Sequence, residues 1–249
     1  MKLGASMIIH NAVEFDYCVE ESIRSLMPVV DELVVLDAES TDGTLGLLSR
    51  LAREYGKIKI ATAPWKPNPG GWGSWLSDLS NFAKSHLKDC THHVALQADE
   101  VLGDCHPEQF RHYIAAHPCV LHRLNFWIDH KHLVPPGRVC SDKVIRASVI
   151  QDPYVGDAES LLPSSREYLI AAPRIYHYGM IRRTKAFVAK SKPMHRAFTG
   201  GPHDPALDIM EHDPKIGFER NVRLADCHLF NGGHPEVAHR WLRERGYSV

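Results

Sequence analysis

The sequence predicts an α/β fold, with a mixed, mostly parallel central sheet flanked by helices and an irregular C-terminal extension. Three observations predict it. Apolar strands alternate with amphipathic helices up to residue 102, the alternation then breaks down, and Gly, Pro and His become frequent after about residue 200. Alternating strands and helices are typical of a parallel sheet covered by helices. With 249 residues, 44% of them hydrophobic, the chain can bury a substantial core.

The first half contains the regular alternation. Its predicted strands cover residues 6–9, 32–36, 57–61 and the apolar run HVALQADEVL at 93–102. Its predicted helices cover 14–27, the stretch through Leu47 and Tyr55, and 74–87. The helix at 14–27 is indicated by the helical spacing of Val19, Ile23 and Leu26 and is ended by Pro28. The Pro/Gly-rich stretch at 64–73 predicts a loop.

The second half changes pattern. Strands are predicted at 119–128 and 143–150 with the turn-rich HKHLVPPGR between them, so we expect antiparallel additions to the sheet. One short helix is predicted at 235–246. The expected organisation is a domain at 1–200, with a C-terminal extension at 201–249 packed on the same domain.

Composition excludes some function classes. A formal charge of −1 and a pI near 7.0 give no global attraction to nucleic acid or membrane. The N-terminal apolar run is too short for a signal peptide, and no segment reaches the ~20 apolar residues of a membrane span, so no stable membrane insertion is expected. The six cysteines are scattered without a C-x-x-C pair, as in a cytoplasmic protein with reduced thiols.

Two acidic segments follow predicted strands of neighbouring β-α units. DAESTDGT begins at Asp37, and the strand at 93 leads into Asp99 and Glu100. Ligands of open α/β sheets bind outside the carboxyl ends of the strands, so we expect these segments to share one crevice. Adjacent carboxylates repel unless a cation compensates them, and Mg²⁺ is typically held by one or two carboxylates together with phosphate oxygens. An additional His ligand favours Mn²⁺ or another transition ion.

Four stretches carry a family resemblance. MIIHNAVEFDYCVEESIRSL followed by VVLDAESTDGT resembles the opening of family 2 glycosyltransferases, which have the Rossmann-like GT-A fold. LSNFAKSHLKDCTHHVALQADEVL and RIYHYGMIRRTKAFVAKSK resemble later segments of the same family, in the same order, over roughly residues 5 to 195. The resemblance implies a metal-dependent, inverting hexosyltransferase. Such an enzyme moves a sugar from a nucleotide-diphosphate donor, most often a UDP-sugar, to an acceptor hydroxyl.

The resemblance also implies site residues. Asp99 matches the metal-binding aspartate and His177 the late histidine of the metal shell, for Mn²⁺ or Mg²⁺; the alternative for His177 is a packing histidine between two tyrosines. Asp37 matches the acid that reads the nucleobase, and Asp42 matches a second acid of that element or is only a helix N-cap. The remaining residues implied to bind the donor nucleotide are Asn11, Gln97, Arg182, Arg183 and Lys185.

Gln97 departs from the family, which usually has an aspartate at this position. A neutral amide still hydrogen-bonds hydroxyls as donor and acceptor, but it lowers the negative charge of the site by one. The substitution therefore leaves a second hypothesis, a catalytically degenerate protein of the same fold that binds nucleotide or glycan. A nucleotidyltransferase is less favoured because IIHNAVEF lacks a Gly-rich phosphate loop.

Inverting transfer needs a general base, because an alcohol is a poor nucleophile until its proton is removed. The resemblance implies an acid after the middle of the chain, and the candidates are Asp152, Asp157 and Glu159, with Asp157 preferred because it follows Gly156. The alternative is that all three are ordinary loop acids. The acceptor stays open among a glycan, a protein and a modified base in DNA.

Overall fold

The computed structural model describes residues 1–66, 71–199, 212 and 222–249. The predicted domain boundary after residue 200 and residues 67–70 of the Pro/Gly loop lie outside the described residues.

The described strands and helices follow each other along the chain. The strands are β1 (Leu3–Ile9), β2 (Glu32–Asp37), β3 (Ile58–Thr62), β4 (His92–Ala95), β5 (Glu100–Leu102), β6 (Cys119–Trp127), β7 (Asp129–Leu133), β8 (Lys143–Val149), β9 (Tyr154–Val155), β10 (Ser160–Leu161), β11 (Leu169–Met180) and β12 (His228–Leu229). The α-helices are α1 (Val19–Leu26), α2 (Thr44–Tyr55), α3 (Trp72–Ser85), α4 (Pro107–Ala116), α5 (Thr184–Thr199) and α6 (His239–Arg243). Short 3₁₀ turns cover Leu224–Asp226 and Glu236–Ala238.

The central sheet is mixed, and the predicted fold class is confirmed. Strands β3, β2, β1 and β4 lie side by side and are all parallel. Beyond β4 the sheet continues through β8, β6, β7 and β12, each antiparallel to its neighbour, as the change of pattern after residue 102 predicts. Strand β11 pairs in parallel with β6 and antiparallel with β5. Helices cover the central parallel strands, so six of the seven residues of β1 and all six residues of β2 are buried.

The predicted strand at 93–102 is two strands separated by a corner. Strand β4 ends at Ala95 and β5 begins at Glu100, where the Glu100 N–H donates to the Gln97 carbonyl at 3.1 Å. The N–H of Tyr178 in β11 donates to the Asp99 carbonyl at 2.9 Å. This main-chain bond holds the corner against β11 and brings Asp99 beside His177.

Two other elements differ from their predictions. The helix expected at 14–27 begins only at Val19 because the preceding residues form turns, in which Tyr17 N–H donates to the Ala12 carbonyl and Asp16 has a φ of 55°. The Asp16 carboxylate accepts hydrogen bonds from Arg183 N–H and from the Arg245 guanidinium, so this turn is fixed by distant residues. Part of the turn-rich stretch 130–138 is strand β7.

Residues 222–249 pack against the sheet. Trp241 and Leu242 of α6 belong to a buried apolar cluster with Phe126 and Tyr178. Arg245 pairs with Asp16 and stacks over the Trp241 ring, with 3.6 Å between the guanidinium carbon and the ring centre. In the described part of the chain, no helix has both the length and the apolar character that crossing a membrane requires.

Candidate active site

A cavity of about 340 Å³ lies at the carboxyl ends of β1 and β4. It is where a ligand of an open α/β sheet is expected. Its polar lining comes from the segment after β1, the corner after β4, the β9–β10 turn and the β11–α5 junction, and includes His10, Gln97, Asp99, Asp157, Glu159, His177, Arg182 and Lys190.

Asp99 is surrounded by positive charge. Its Oδ2 lies 3.7 Å from Lys190 Nζ, 3.8 Å from the Arg182 guanidinium and 3.9 Å from His177 Nε2. Burial alone would raise the pKa of Asp99, but these three neighbours outweigh it and hold the pKa well below its usual range. Asp99 is therefore a carboxylate that stays ionised in a buried position.

His177 presents one ring nitrogen to Asp99 and the other to Asn125. Its Nδ1 lies 2.9 Å from Asn125 Oδ1. Burial opposes protonation, but Asp99 and Cys140 beside the ring raise the pKa of His177 to about 9. In the absence of a cation, the ring is therefore drawn to the Asp99 charge.

The residues around Asp99 and His177 fit a divalent ion. A Cβ at Gly179 would lie 2.5 Å from His177 Nε2 and 2.9 Å from Asp99 Oδ2, so glycine leaves open the space beside both donor atoms. A carboxylate oxygen with an imidazole nitrogen suits Mn²⁺ or a similar ion. Among the described residues, no three His, Cys, Asp or Glu side chains converge to hold a metal. Phosphate oxygens of a substrate and water are suitable further ligands for such an ion.

Arg182 and Lys190 flank the ring of Tyr17. The Arg182 guanidinium carbon lies 4.6 Å and Lys190 Nζ 4.9 Å from its centre. Arg182 is further fixed by donating to the carbonyls of Gly179 at 2.8 Å and Phe15 at 3.1 Å. Cation–π contacts and hydrogen bonds thus hold two cations at the cavity wall, where a diphosphate could bind them.

Glu100 supports the corner and does not line the cavity. Its fully buried carboxylate accepts from Gln97 N–H at 2.9 Å, from Arg146 at 2.6 Å and from Arg123 at 3.2 Å. A buried carboxylate needs this degree of compensation. The Gln97 side chain, in contrast, lines the cavity, and no described residue hydrogen-bonds its amide.

Asp157 and Glu159 also line the cavity, from the turn between β9 and β10. Glu159 pairs with Arg123 at 2.8 Å, and although burial opposes it, this partner lowers the pKa of Glu159. Burial and the nearby Glu159 charge raise the pKa of Asp157. A carboxylate with a raised pKa is a better proton acceptor at the cavity than one held by an ion pair.

Two residues predicted to bind the donor nucleotide have structural roles outside the cavity. Asn11 accepts from Thr41 N–H at 2.8 Å and donates to Glu14 at 3.0 Å. Asp42 accepts from the N–H of Thr44 at 3.1 Å and from Glu14 N–H, but the N-cap of α2 is Gly43, so the alternative that Asp42 is the cap is wrong. Burial would raise the pKa of Asp42, but the hydrogen bonds that it accepts lower it.

Three more predicted residues do not line the cavity. Asp152 is buried in a hydrogen-bonded cluster, where its carboxylate accepts from the Ser148 hydroxyl and from Ser164 N–H at 2.9 Å. Arg183 is exposed and faces Asp16, 3.5 Å away, and Lys185 is exposed on the first turn of α5. Of the three basic residues predicted near the diphosphate, the structure brings Arg182 to the cavity.

Asp37 is buried at the end of β2, beside the cavity. Its Oδ2 accepts from Ser40 N–H at 3.3 Å, and its Oδ1 has no hydrogen-bond partner among the described residues. Nearby, His10 stacks on Trp65 with 4.1 Å between ring centres, and its Nδ1 donates to the Ala38 carbonyl at 2.6 Å. An unpaired buried carboxylate oxygen is costly, so it favours a ligand that donates a hydrogen bond there.

Sequence reasoning missed Lys190, Tyr17 and Asn125. Lys190 lies in α5, whereas Arg182 precedes this helix. The acid-free basic stretch that contains both residues is the one sequence signal for Lys190. Tyr17 and Asn125 carry no local signal, because their partners are distant in sequence.

No protein-family model matches this chain, and no curated protein matches it. Several solved structures are similar to it. It shares 14% identity with S. aureus TarS 1–349, covering 91% of this chain and 77% of that one, with a TM-score of 0.46. With TarS 1–349 in complex with UDP, it shares 22% identity, covering 55% of this chain and 39% of that one, with a TM-score of 0.39.

A third similar structure is the mannosyltransferase PcManGT from Pyrobaculum calidifontis in complex with GDP-Man and Mn²⁺. The identity is 18%, the cover is 51% of this chain and 35% of that one, and the TM-score is 0.36. At these identities and TM-scores, the similarity concerns the fold of the backbone and not the chemistry of the residues.

Proposed function

We propose that this protein is a metal-dependent, inverting glycosyltransferase that moves a sugar from a nucleotide-diphosphate donor, a UDP-sugar, to an acceptor hydroxyl. One observation carries the proposal. Asp99 and His177 lie 3.9 Å apart beside Arg182 and Lys190 in the lining of one cavity, and Asp157 lines the same cavity. Metal ligands, diphosphate-binding cations and a proton acceptor thus surround one space.

In the proposed reaction, the diphosphate leaving group lies beside Asp99. Asp99 and His177 would hold a divalent ion, which when bound neutralises charge on a diphosphate leaving group. Arg182 and Lys190 would contact the diphosphate oxygens from the other side. Asp37 Oδ1, which has no hydrogen-bond partner among the described residues, would accept a hydrogen bond from the nucleobase of the donor.

In the proposed reaction, the acceptor hydroxyl lies beside Asp157. The acceptor oxygen forms a bond to the anomeric carbon while the bond from that carbon to the diphosphate breaks. The acceptor proton passes to the Asp157 carboxylate, whose raised pKa favours its uptake. Gln97, which lines the same cavity and whose amide has no hydrogen-bond partner among the described residues, would hydrogen-bond donor hydroxyls.

A binding protein without turnover is the second candidate, favoured by Gln97. The amide supplies no negative charge where the corresponding family position usually has an aspartate. Nucleotide binding without product release in the presence of every acceptor tested would support this candidate.

The test measures release of nucleoside diphosphate from a panel of UDP- and GDP-sugars with Mn²⁺, Mg²⁺ or EDTA. We expect turnover of one donor that EDTA abolishes. Asp99→Ala should lower the rate by about 10²–10³-fold, the scale for loss of one charge-stabilising group. The matched control is Asp104→Ala, which removes an exposed acid a few residues further along and should leave the rate unchanged.

The outcomes separate the candidates. Turnover that persists in EDTA and in Asp99→Ala contradicts the metal site. Nucleotide binding without turnover favours the binding protein, and absence of nucleotide binding contradicts both candidates.

A further inference from the structure

We infer that Asn125 is a positioning residue for the metal site: it keeps the proton of His177 on Nδ1 and thereby assigns Nε2 as the metal-binding atom. The inference rests on the proposed function, because it concerns the ion that Asp99 and His177 would hold. It adds a residue that touches neither ion nor substrate.

The orientation of the Asn125 amide follows from its neighbours. Asn125 Nδ2 lies 3.2 Å from the Ser141 carbonyl oxygen. A carbonyl oxygen can only accept, so the amide nitrogen must face it and the amide oxygen must point the other way. The same carbonyl also accepts from Arg123 Nε at 2.9 Å, which holds it in place.

The orientation of the amide determines the proton on the imidazole. Asn125 Oδ1 faces His177 Nδ1 at 2.9 Å, and an amide oxygen can only accept. Nδ1 must therefore carry a hydrogen, which leaves Nε2 as the nitrogen whose lone pair can bind an ion. Histidine ligands of metals typically donate their other ring N–H to such an acceptor, which fixes the ring and raises its basicity.

The fold supports this pairing. Asn125 and His177 are directly opposite each other in the parallel pair of β6 and β11. Each is only 6% exposed, so water competes little for the bond between them. On the other side of the ring, Gly179 leaves space beside Nε2 and Asp99. The strand pairing, the amide and the glycine therefore direct the same nitrogen to the same space.

The test measures Mn²⁺ binding in the presence of UDP. The electron paramagnetic resonance signal of free Mn²⁺ reports how much of the ion is bound. Asn125→Leu removes the acceptor at similar volume and should weaken Mn²⁺ binding by about 10–100-fold. Asn125→Asp retains an acceptor and should bind at least as tightly as the wild type. Asn81→Leu is the control, because Asn81 also makes two hydrogen bonds to backbone but does not contact His177.

The results distinguish this inference from the proposed function. Loss of binding in His177→Ala together with unchanged binding in Asn125→Leu overturns the role of Asn125 and leaves the metal site standing. Equal loss in Asn125→Asp and Asn125→Leu also overturns it. Absence of Mn²⁺ binding to the wild type overturns the metal site and the inference with it.

A second measurement needs no variant at Asn125 to fold. In the wild type with UDP and Zn²⁺ as a diamagnetic substitute, the ¹⁵N shifts of His177 should report a protonated Nδ1 and an unprotonated Nε2. The resonances are assigned by their absence in His177→Ala. A protonated Nε2 with a metal-bound Nδ1 overturns the inference.

Discussion

Asp157 and Glu159 show how two acids of one turn acquire different chemistry. Glu159 is held by Arg123 and by the Ser141 hydroxyl at 3.2 Å, whereas the Asp157 carboxylate accepts from Glu159 N–H, also at 3.2 Å, and has no ion pair among the described residues. The ion pair keeps Glu159 ionised, and its charge together with burial raises the pKa of Asp157. Neighbouring groups with opposite pKa shifts are typical of acid–base sites.

Glu159→Gln should move the acidic limb of the pH–rate profile. The substitution removes a negative charge next to Asp157 and leaves Arg123 less neutralised, and both effects lower the pKa of Asp157. The base then stays ionised to lower pH, so we expect the limb to shift down by up to about one pH unit. The measurement is kcat against pH, with the exposed Glu167→Gln as control. An unchanged or upward shift would contradict Asp157 as the base.

At the scale of elements, helix α3 holds the turn that carries Asp157. Asn81 accepts from Tyr154 N–H at 2.8 Å and donates to the Tyr154 carbonyl at 3.1 Å, so its side chain pairs with β9 as a neighbouring strand would. Ser77 donates to the Gly156 carbonyl at 3.0 Å. A Cβ added at Gly73 would lie 3.1 Å from the same carbonyl oxygen, so α3 approaches the turn closely at this glycine. The position of the proposed base therefore depends on a helix far from it in sequence.

Asn81→Leu should lower the free energy of unfolding by about 1–3 kcal/mol, because it leaves the Tyr154 N–H and carbonyl without their partners. Denaturant unfolding measures this change. We also expect kcat to fall while Mn²⁺ affinity is retained, since Asn81 hydrogen-bonds the backbone of β9 and neither Asp99 nor His177. Ser85→Ala, on the exposed face of α3, should change stability by less than about 0.5 kcal/mol. A similar loss in both variants would contradict the role of the Asn81 clamp.

Elements governed by local pattern could be predicted from the sequence, whereas those governed by distant contacts could not. Strand β2 and helix α2 agree with prediction because the spacing of their apolar residues is a local pattern. The corner at Asp99 depends on the N–H of Tyr178, and the late start of α1 depends on partners of Asp16 near the C-terminus. Of the residues that line the cavity, Asp99 and Arg182 could be predicted because they lie in sequence segments that resemble a known family.

At the scale of the whole molecule, several buried or half-buried histidines are kept neutral. Burial lowers the pKa of His92, His93 and His130, and lowers the pKa of His234 to about 4. His234 has the geometry of a neutral ring, with Nε2 3.0 Å from the His130 carbonyl and Nδ1 2.9 Å from the Tyr178 hydroxyl. Protonating Nδ1 would remove the acceptor that Tyr178 needs.

Acid should therefore destabilise the protein before its carboxylates titrate. His234 has a folded pKa near 4 and an ordinary unfolded value of 6.5, so the unfolded chain binds more protons between these values. Stability should fall as pH drops through this window, by up to about 1.4 kcal/mol per pH unit for one proton. Denaturant unfolding at pH 5 to 6.5 measures this slope. His234→Gln should reduce the difference in bound protons between the unfolded and folded states by nearly one. An unchanged slope would show that His234 is not buried neutral.

The main-chain bond between Tyr178 and the Asp99 carbonyl has a consequence for engineering. Since backbone atoms alone form this bond, positions 99 and 177 stay adjacent whatever side chains they carry. Gly179 keeps the space beside both open. A designer can therefore exchange hard oxygen donors for softer nitrogen or sulfur donors at either position and retune the ion preference, while the scaffold that aligns them is inherited unchanged.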